Sequence, residues 1–300
     1  MPFIGELAAI GTSIMFSIGP IYFTLAGKLV GSVVVNRTRL LIALGYLFVL
    51  HWIFIGTPLP VEAAADRWFW LSLSGIIGFV IGDAALFQAF LVLGTRLTML
   101  IFALNPIIAT FLAWMFMEEN LSGIQLLGMA ITLIGVTWVL FERNNPTQQS
   151  LSSKEYALGI LLGVVAAAGQ AGGSVTAKLG LYGDFPPLSG QIIRVGTGAV
   201  IMWILAVFSR KVRENFSAIK QEPKSIQYLL LASFLGPVIG VFFSLVALQN
   251  SEVGIASTLM SLPPVFLIPI GFFFFKEKIS WRAAVGTLIA ILGVAIIFLV

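Results

Sequence analysis

Asp83 is the residue of this chain with the most chemistry to offer. It falls about ten residues from the nearer end of an apolar run over residues 69–93, which in a helix sets it about 15 Å inside that end, near the middle of a bilayer. A carboxylate at that depth is costly unless it faces water, a cation or a proton, so such a residue marks a ligand or ion pathway. A protonated Asp bonded to a neighbouring helix is the plainer alternative. Asn105 and Gln170 bring amides to similar apolar runs, Tyr22, Ser244 and Ser261 bring hydroxyls, and Phe79 and Phe87 bring aromatic faces. These eight residues form the expected substrate-binding set. Each has a structural use as well: the tyrosine as an interfacial anchor, the serines as interhelical donors, and the phenylalanines as core or lipid-facing bulk.

Prolines punctuate the same runs. Pro106 and the Pro263-Pro264 pair lie mid-run, and Gly19-Pro20 occupies a comparable stretch of the first run. Proline lacks an N–H and frees a carbonyl one turn earlier, so Pro20, Pro106, Pro263 and Pro264 are expected to kink or break their helices where transporters hold solutes. The sequence supplies little for other chemistry. It has no cysteine and one histidine, His51, which beside Trp52 reads as an interfacial polar residue. With no Ser/His/Asp grouping, phosphate loop or metal-ligand cluster, no enzyme activity, cofactor or metal is expected.

The elements that must position these residues are membrane spans. Apolar residues make up 59% of the chain and charged residues 10%, with 25 phenylalanines in 300 residues and a mean hydropathy of +1.03; this excludes an ordinary soluble domain. The net charge of +4 sits in loops and reflects orientation in the bilayer, so no nucleic-acid partner is expected. The run after Met1 lacks a basic leader and continues to about Ala26, longer than a signal-peptide core, and is read as a retained span. Spans fall at about 4–25, 34–56, 69–93, 97–117, 121–141, 155–177, 188–208, 226–248, 254–275 and 281–300, each long enough for hydrocarbon about 30 Å thick. The expected fold is an all-α membrane protein of ten transmembrane helices in two inverted five-helix repeats, 1–143 and 155–300, joined by a polar linker at 144–154.

The inversion rests on a duplication. Residues 71–142 lie on 229–300 at an offset of 158: Gly78, Val80, Ile81 and Gly82 meet Gly236, Val238, Ile239 and Gly240, and Pro106 meets Pro264. Gly128, Gly135 and Val136 meet Gly286, Gly293 and Val294, whereas Asp83 meets Val241. Five helices per copy start the two copies on opposite faces. Fourteen lysines and arginines fall in or beside odd loops and three, Arg67, Lys178 and Arg194, by even ones, which puts the odd loops in the cytoplasm and both termini on the non-cytoplasmic side. The matched turns Glu118-Glu119-Asn120 and Lys276-Glu277-Lys278 differ in charge as inversion requires.

Asn36 and Arg39 match Gln191 and Arg194 at an offset of 155, and Lys28 matches Lys178 at 150. These basic residues are read as snorkelling ends or headgroup contacts, with anion binding at a cavity mouth as the alternative. Gly128, Thr132 and Gly135, repeated as Gly286, Ala290 and Gly293, form small-residue stripes for close helix packing or a homodimer face. Val212, Phe216 and Ile219, beside Lys211, Arg213 and Lys220, are spaced for a surface helix on lipid headgroups or a solvated loop.

Gly82-Asp83 with Phe87 and Ala89, Asn105-Pro106, Glu118-Glu119-Asn120-Leu121-Ser122, and Gly128 with Leu133, Gly135 and Val136 resemble the first repeat of the EamA family in the drug/metabolite transporter superfamily. Ile255-Ala256-Ser257, Pro263-Pro264, Lys276-Glu277-Lys278-Ile279-Ser280 and Leu292-Gly293-Val294 resemble the second. The resemblance implies a central cavity lined by the first, third and fourth helices of each half, with the fifth helices peripheral. It implies transport of small organic metabolites, often amino-acid export as in the family's aromatic amino-acid exporters. The expectation is a secondary active or facilitative transporter of the inner membrane, working by alternating access as a monomer or weak homodimer, with proton coupling at Asp83 as an option. An importer of choline-like or other cationic solutes, and a lipid flippase or membrane scaffold, are the alternatives.

Overall fold

The protein, described here by a computed structural model covering residues 3–142, 152–275 and 281–299, is built from helices. Most of the linker at 144–154 and the turn Lys276-Glu277-Lys278 lie outside the described residues. Ten helices among the described residues are long and apolar enough to span a bilayer. They are α1 (Ile4–Val30), α2 (Ser32–Ile55), α3 (Ala65–Leu93), α4 (Leu97–Met117), α5 (Gly123–Leu140), α6 (Ser153–Gly180), α7 (Pro187–Phe208), α8 (Lys224–Asn250), α9 (Val253–Ile270) and α10 (Trp281–Phe298).

Local chemistry sets several of their ends. Gly31, at φ 83°, turns α1 directly into α2, and Gly56, at φ 88°, ends α2 in the left-handed region that glycine adopts without a Cβ clash. Ser152 and Glu155 form a reciprocal capping box at the start of α6, with N···O distances of 2.9 and 3.3 Å. Between α7 and α8 a surface helix, Val212–Gln221, is pinned by Asn215, which donates to Thr38 Oγ1 at 3.1 Å, and by Phe216, whose ring lies 5.5 Å from Trp203.

The two halves interleave. α1 packs mainly on α8 and, in the exchanged relation, α6 packs on α3; α2 lies on α7, α4 on the first part of α9, and α5 along α10. The contacts thus run mainly between the halves, and they exchange under a two-fold axis in the membrane plane. Local irregularities obey the same relation. A π-helical segment at Ile76–Gly82 in α3 recurs at Phe234–Gly240 in α8, and the segments resuming at Asn105 in α4 and Pro263 in α9 are offset by the same 158 residues.

The breaks follow from proline. α4 is interrupted at Ala103–Leu104 just before Asn105-Pro106, and α9 at Ser261–Leu262 just before Pro263-Pro264. Pro263 has no N–H to offer the Leu259 carbonyl, and Ser13 of α1 donates to that oxygen at 2.5 Å. The break expected at Pro20 is absent: α1 runs as one helix from Ile4 to Val30, because neighbouring helices allow a membrane helix to continue through proline.

The small-residue stripes meet each other inside the chain. A Cβ on Gly135 would fall 2.7 Å from Ala290 Cα, and one on Gly293 would fall 2.7 Å from Gly128 O, so α5 and α10 touch backbone to backbone. The stripes are therefore spent on intramolecular packing between α5 and α10. His51 also departs from its expected interfacial place. It is fully buried, with Nδ1 donating to Thr57 O and Nε2 at 2.9 Å from Ser189 Oγ of α7.

Candidate functional site

Glycines in α3 decide where the site lies. A Cβ on Gly173 of α6 would fall 3.1 Å from Gly78 Cα, one on Gly169 would fall 2.8 Å from Gly82 Cα, and one on Gly75 would fall 3.1 Å from Arg194 Cα in α7. Ser74 Oγ donates to Gly173 O at 2.5 Å. The π segment of α3 is thus locked between α6 and α7, and its widened turn ends at Asp83.

Asp83 is 8% exposed and paired to Arg39 of α2, itself 8% exposed. Arg39 Nε donates to Asn36 Oδ1 at 3.0 Å, and its guanidinium lies 5.5 Å from the Phe23 ring centroid and 5.2 Å from that of Phe87. The Arg39 cation is therefore matched by a carboxylate, an amide oxygen and two aromatic faces. It is an interior residue and neither a snorkelling end nor a headgroup contact.

Arg194, its counterpart in the second half, is 5% exposed and differently served. Its guanidinium lies 5.2 Å from the Phe79 ring centroid, but its buried Nε has no hydrogen-bond partner, and no ion pair is made to it among the described residues. Of the two groups that serve Arg39, the carboxylate has no equivalent here and the amide makes no bond to the cation. Val241 stands where Asp83 would be, and Gln191, the counterpart of Asn36, donates Nε2 to Pro237 O at 2.5 Å and Val238 O at 2.8 Å. Those carbonyls belong to the second π segment, so the second half spends its amide nitrogen on helix backbone and leaves Gln191 Oε1 buried without a partner.

Gln170 joins this cluster. A Cβ on Gly78 would stand 3.4 Å from Gln170 Oε1 and 3.7 Å from Arg194 Nη2, so the bare glycine borders both groups. Asp83 lies five residues further along α3, about 7 Å of axial rise. The centre comprises Arg39, Asp83 and Arg194, and carries one positive charge in excess.

The other sequence-selected residues lie apart from this bonded cluster. Ser244 and Ser261 donate to the carbonyls of Val241 and Thr258 in their own helices, both at 2.7 Å. Tyr22 faces Tyr228 at 6.4 Å between ring centroids, while its neighbour Phe23 reaches Arg39. Asn105 is buried with Oδ1 unpartnered, at the break in α4. The arginines and Phe23 escaped the expected binding set, although one signal pointed to the arginines: each is the eighth residue of its helix, about 10 Å in from the end, and the two occupy matched repeat positions.

A second charged cluster closes the face at which α1 begins. Glu119 Oε1 lies 2.6 Å from Lys178 Nζ, and Glu119 Oε2 accepts from Val253 N at 2.8 Å, the first residue of α9. Lys178 also donates to Ser251 O at 2.6 Å, and Ser251 Oγ donates to Glu6 Oε1 at 2.9 Å. This ties α1, α4, α6, α8 and α9 at one membrane face. Glu119→Gln weakens a charge-assisted bond and is expected to lower stability by about 1.5–3 kcal/mol, read as a lower unfolding midpoint in detergent. An unchanged midpoint would mean that the face is held by packing alone.

Comparison with known proteins agrees with this architecture. The model of the EamA-like transporter family matches the chain twice, over residues 3–141 and 157–299. A protein of Clostridium kluyveri named "Uncharacterized transporter" is 29% identical over 116 residues, taking in 39% of this chain and 36% of the relative's own length. A solved structure described only as "Crystal structure of protein" superposes with a TM-score of 0.76 over 99% of this chain and 96% of that one, at 14% identity, a likeness of fold.

Proposed function

Because the chain belongs to the EamA-like transporter family, we propose that it is a secondary transporter carrying a small organic metabolite, such as an amino acid, by alternating access across the inner membrane in the direction of export. The observation that carries this reading is the buried charged centre built from both halves, Arg39 and Asp83 from the first and Arg194 with Gln170 from the second. A site shared between pseudo-symmetric halves is where alternating exposure acts. The direction rests on family resemblance. The sequence has no nucleotide-binding motif, so the driving force is an ion gradient or the solute's own.

The charge tally still supports non-cytoplasmic termini. Removing the two buried arginines from it leaves thirteen basic residues by odd loops and two by even ones. On this orientation the Glu119–Lys178 cluster is the outer closure, and it must part before solute leaves. The protein acts as a monomer, with its small-residue stripes already paired. The excess positive charge disfavours choline-like cations as cargo.

Counterflow in proteoliposomes tests the reading. Vesicles preloaded with an unlabelled amino acid are expected to accumulate the labelled one faster than protein-free vesicles do. If amino acids, organic acids, amines and sugars all equilibrate at the protein-free rate, transport of this class is refuted.

A further inference from the structure

We infer that Arg194 is the anion subsite of this centre and that the solute is recognised through a carboxylate. The inference deepens the transport reading and rests on it. A guanidinium 5% exposed inside a membrane protein, with Nε unpartnered and no carboxylate paired to it among the described residues, is unfavourable as it stands. The Phe79 ring, its centroid 5.2 Å from the guanidinium carbon, is a weaker partner than a paired anion. The nearby resident carboxylate, Asp83, is engaged by Arg39, and Gln191, whose Nε2 is committed to the Pro237 and Val238 carbonyls, offers only a neutral amide oxygen. The missing counter-ion is therefore a mobile one, supplied by the solute.

The surroundings fit a carboxylate. Guanidinium binds it edge-on through two parallel N–H groups. At Gly78 the absent side chain leaves Nη2 bordered by bare backbone, with Gln170 Oε1 beside it to accept an N–H or O–H from the solute. Amino acids and amine-free organic acids share this chemistry, whereas quaternary and decarboxylated amines lack it.

The test uses the purified full chain and two matched series: alanine, alaninamide, ethylamine and propionate, and phenylalanine, phenylalaninamide, phenethylamine and phenylpropionate. The amino acid or the acid of at least one series is expected to raise the unfolding midpoint, and the amides and amines to leave it unchanged. Stabilisation by both acid and amino acid assigns recognition to the carboxylate alone, and stabilisation by the amino acid alone adds an ammonium contact. Arg194→Gln is expected to keep or raise the ligand-free midpoint while abolishing the ligand shift. Arg194→Lys, which keeps the charge but loses the fork, is expected to bind roughly tenfold more weakly. If amides or amines stabilise the wild type as well as the acids do, if no carboxylate in either series stabilises it, or if Arg194→Gln binds with unchanged affinity, the inference fails. Should Arg194→Gln unfold, Arg194 is structural and the inference fails unless Arg194→Lys folds and shows the weakened, carboxylate-selective shift. Carboxylate binding without movement in vesicles would remove the transport reading and leave the subsite standing. Movement of amines unaffected by Arg194→Gln would do the reverse.

Discussion

Asp83→Asn is expected to destabilise the folded protein by about 3–5 kcal/mol, the usual cost of stranding one member of a buried ion pair. The variant leaves Arg39 without its carboxylate, and both Arg39 and Arg194 remain as buried cations. Arg39 keeps its Asn36 bond and the Phe23 and Phe87 rings, which are too weak to replace an anion. The double variant Arg39→Gln/Asp83→Asn removes both charges and is expected to recover most of the loss, because a buried pair contributes little net stability over a neutral replacement. Unfolding midpoints of the wild type, Asp83→Asn, Arg39→Gln and the double variant in one detergent decide it. A single variant at wild-type stability would show that Asp83 does not neutralise Arg39. Arg194→Gln should behave in the opposite sense, since no resident anion loses its partner.

Gly135→Val is expected to cost about 1–3 kcal/mol through overpacking, and Gly135→Val with Gly293→Val more than either alone. The obstruction at Gly135 is backbone: its added Cβ would meet Ala290 Cα and Gly286 O, both at 2.7 Å. No rotamer change relieves such a clash, so α5 and α10 must separate along their length. Gly45 in α2 is the matched control, because a Cβ there has nothing within 4 Å, and Gly45→Ala is expected to be neutral or slightly stabilising. The folded fraction after extraction, measured by size-exclusion chromatography, separates the cases. Full recovery of monodisperse Gly135→Val/Gly293→Val would contradict the close α5–α10 contact.

The ten spans were legible because apolar runs of bilayer length need no tertiary information. The breaks near Pro106 and Pro263-Pro264 were legible from proline's missing N–H. The duplication carried further than expected, since its offset of 158 also relates the two π segments, which no residue pattern announces individually. Asp83 was found from depth alone. Its partner was not, because Arg39 lies 44 residues away and the pairing depends on how α2 and α3 are rotated about their axes. Counting basic residues by loop assigned Arg39 and Arg194 to helix ends, although eight residues of helix carry them into the interior. His51 failed for a related reason. Successive residues on a helix point about 100° apart, so Trp52 is exposed while His51 is fully buried.

The exchanged pairing of helices also constrains how the chain is made. Synthesis delivers α1 to α5 before α6 to α10, yet the surfaces on which α1, α3 and α5 chiefly pack belong to α8, α6 and α10. The early helices must therefore wait in lipid with their main contact faces uncovered. The Arg39–Asp83 bond is available inside that first half and gives the waiting helices α2 and α3 a fixed relation. Arg194 arrives later, with α7, and its charge enters a bundle in which Asp83 is already paired to Arg39.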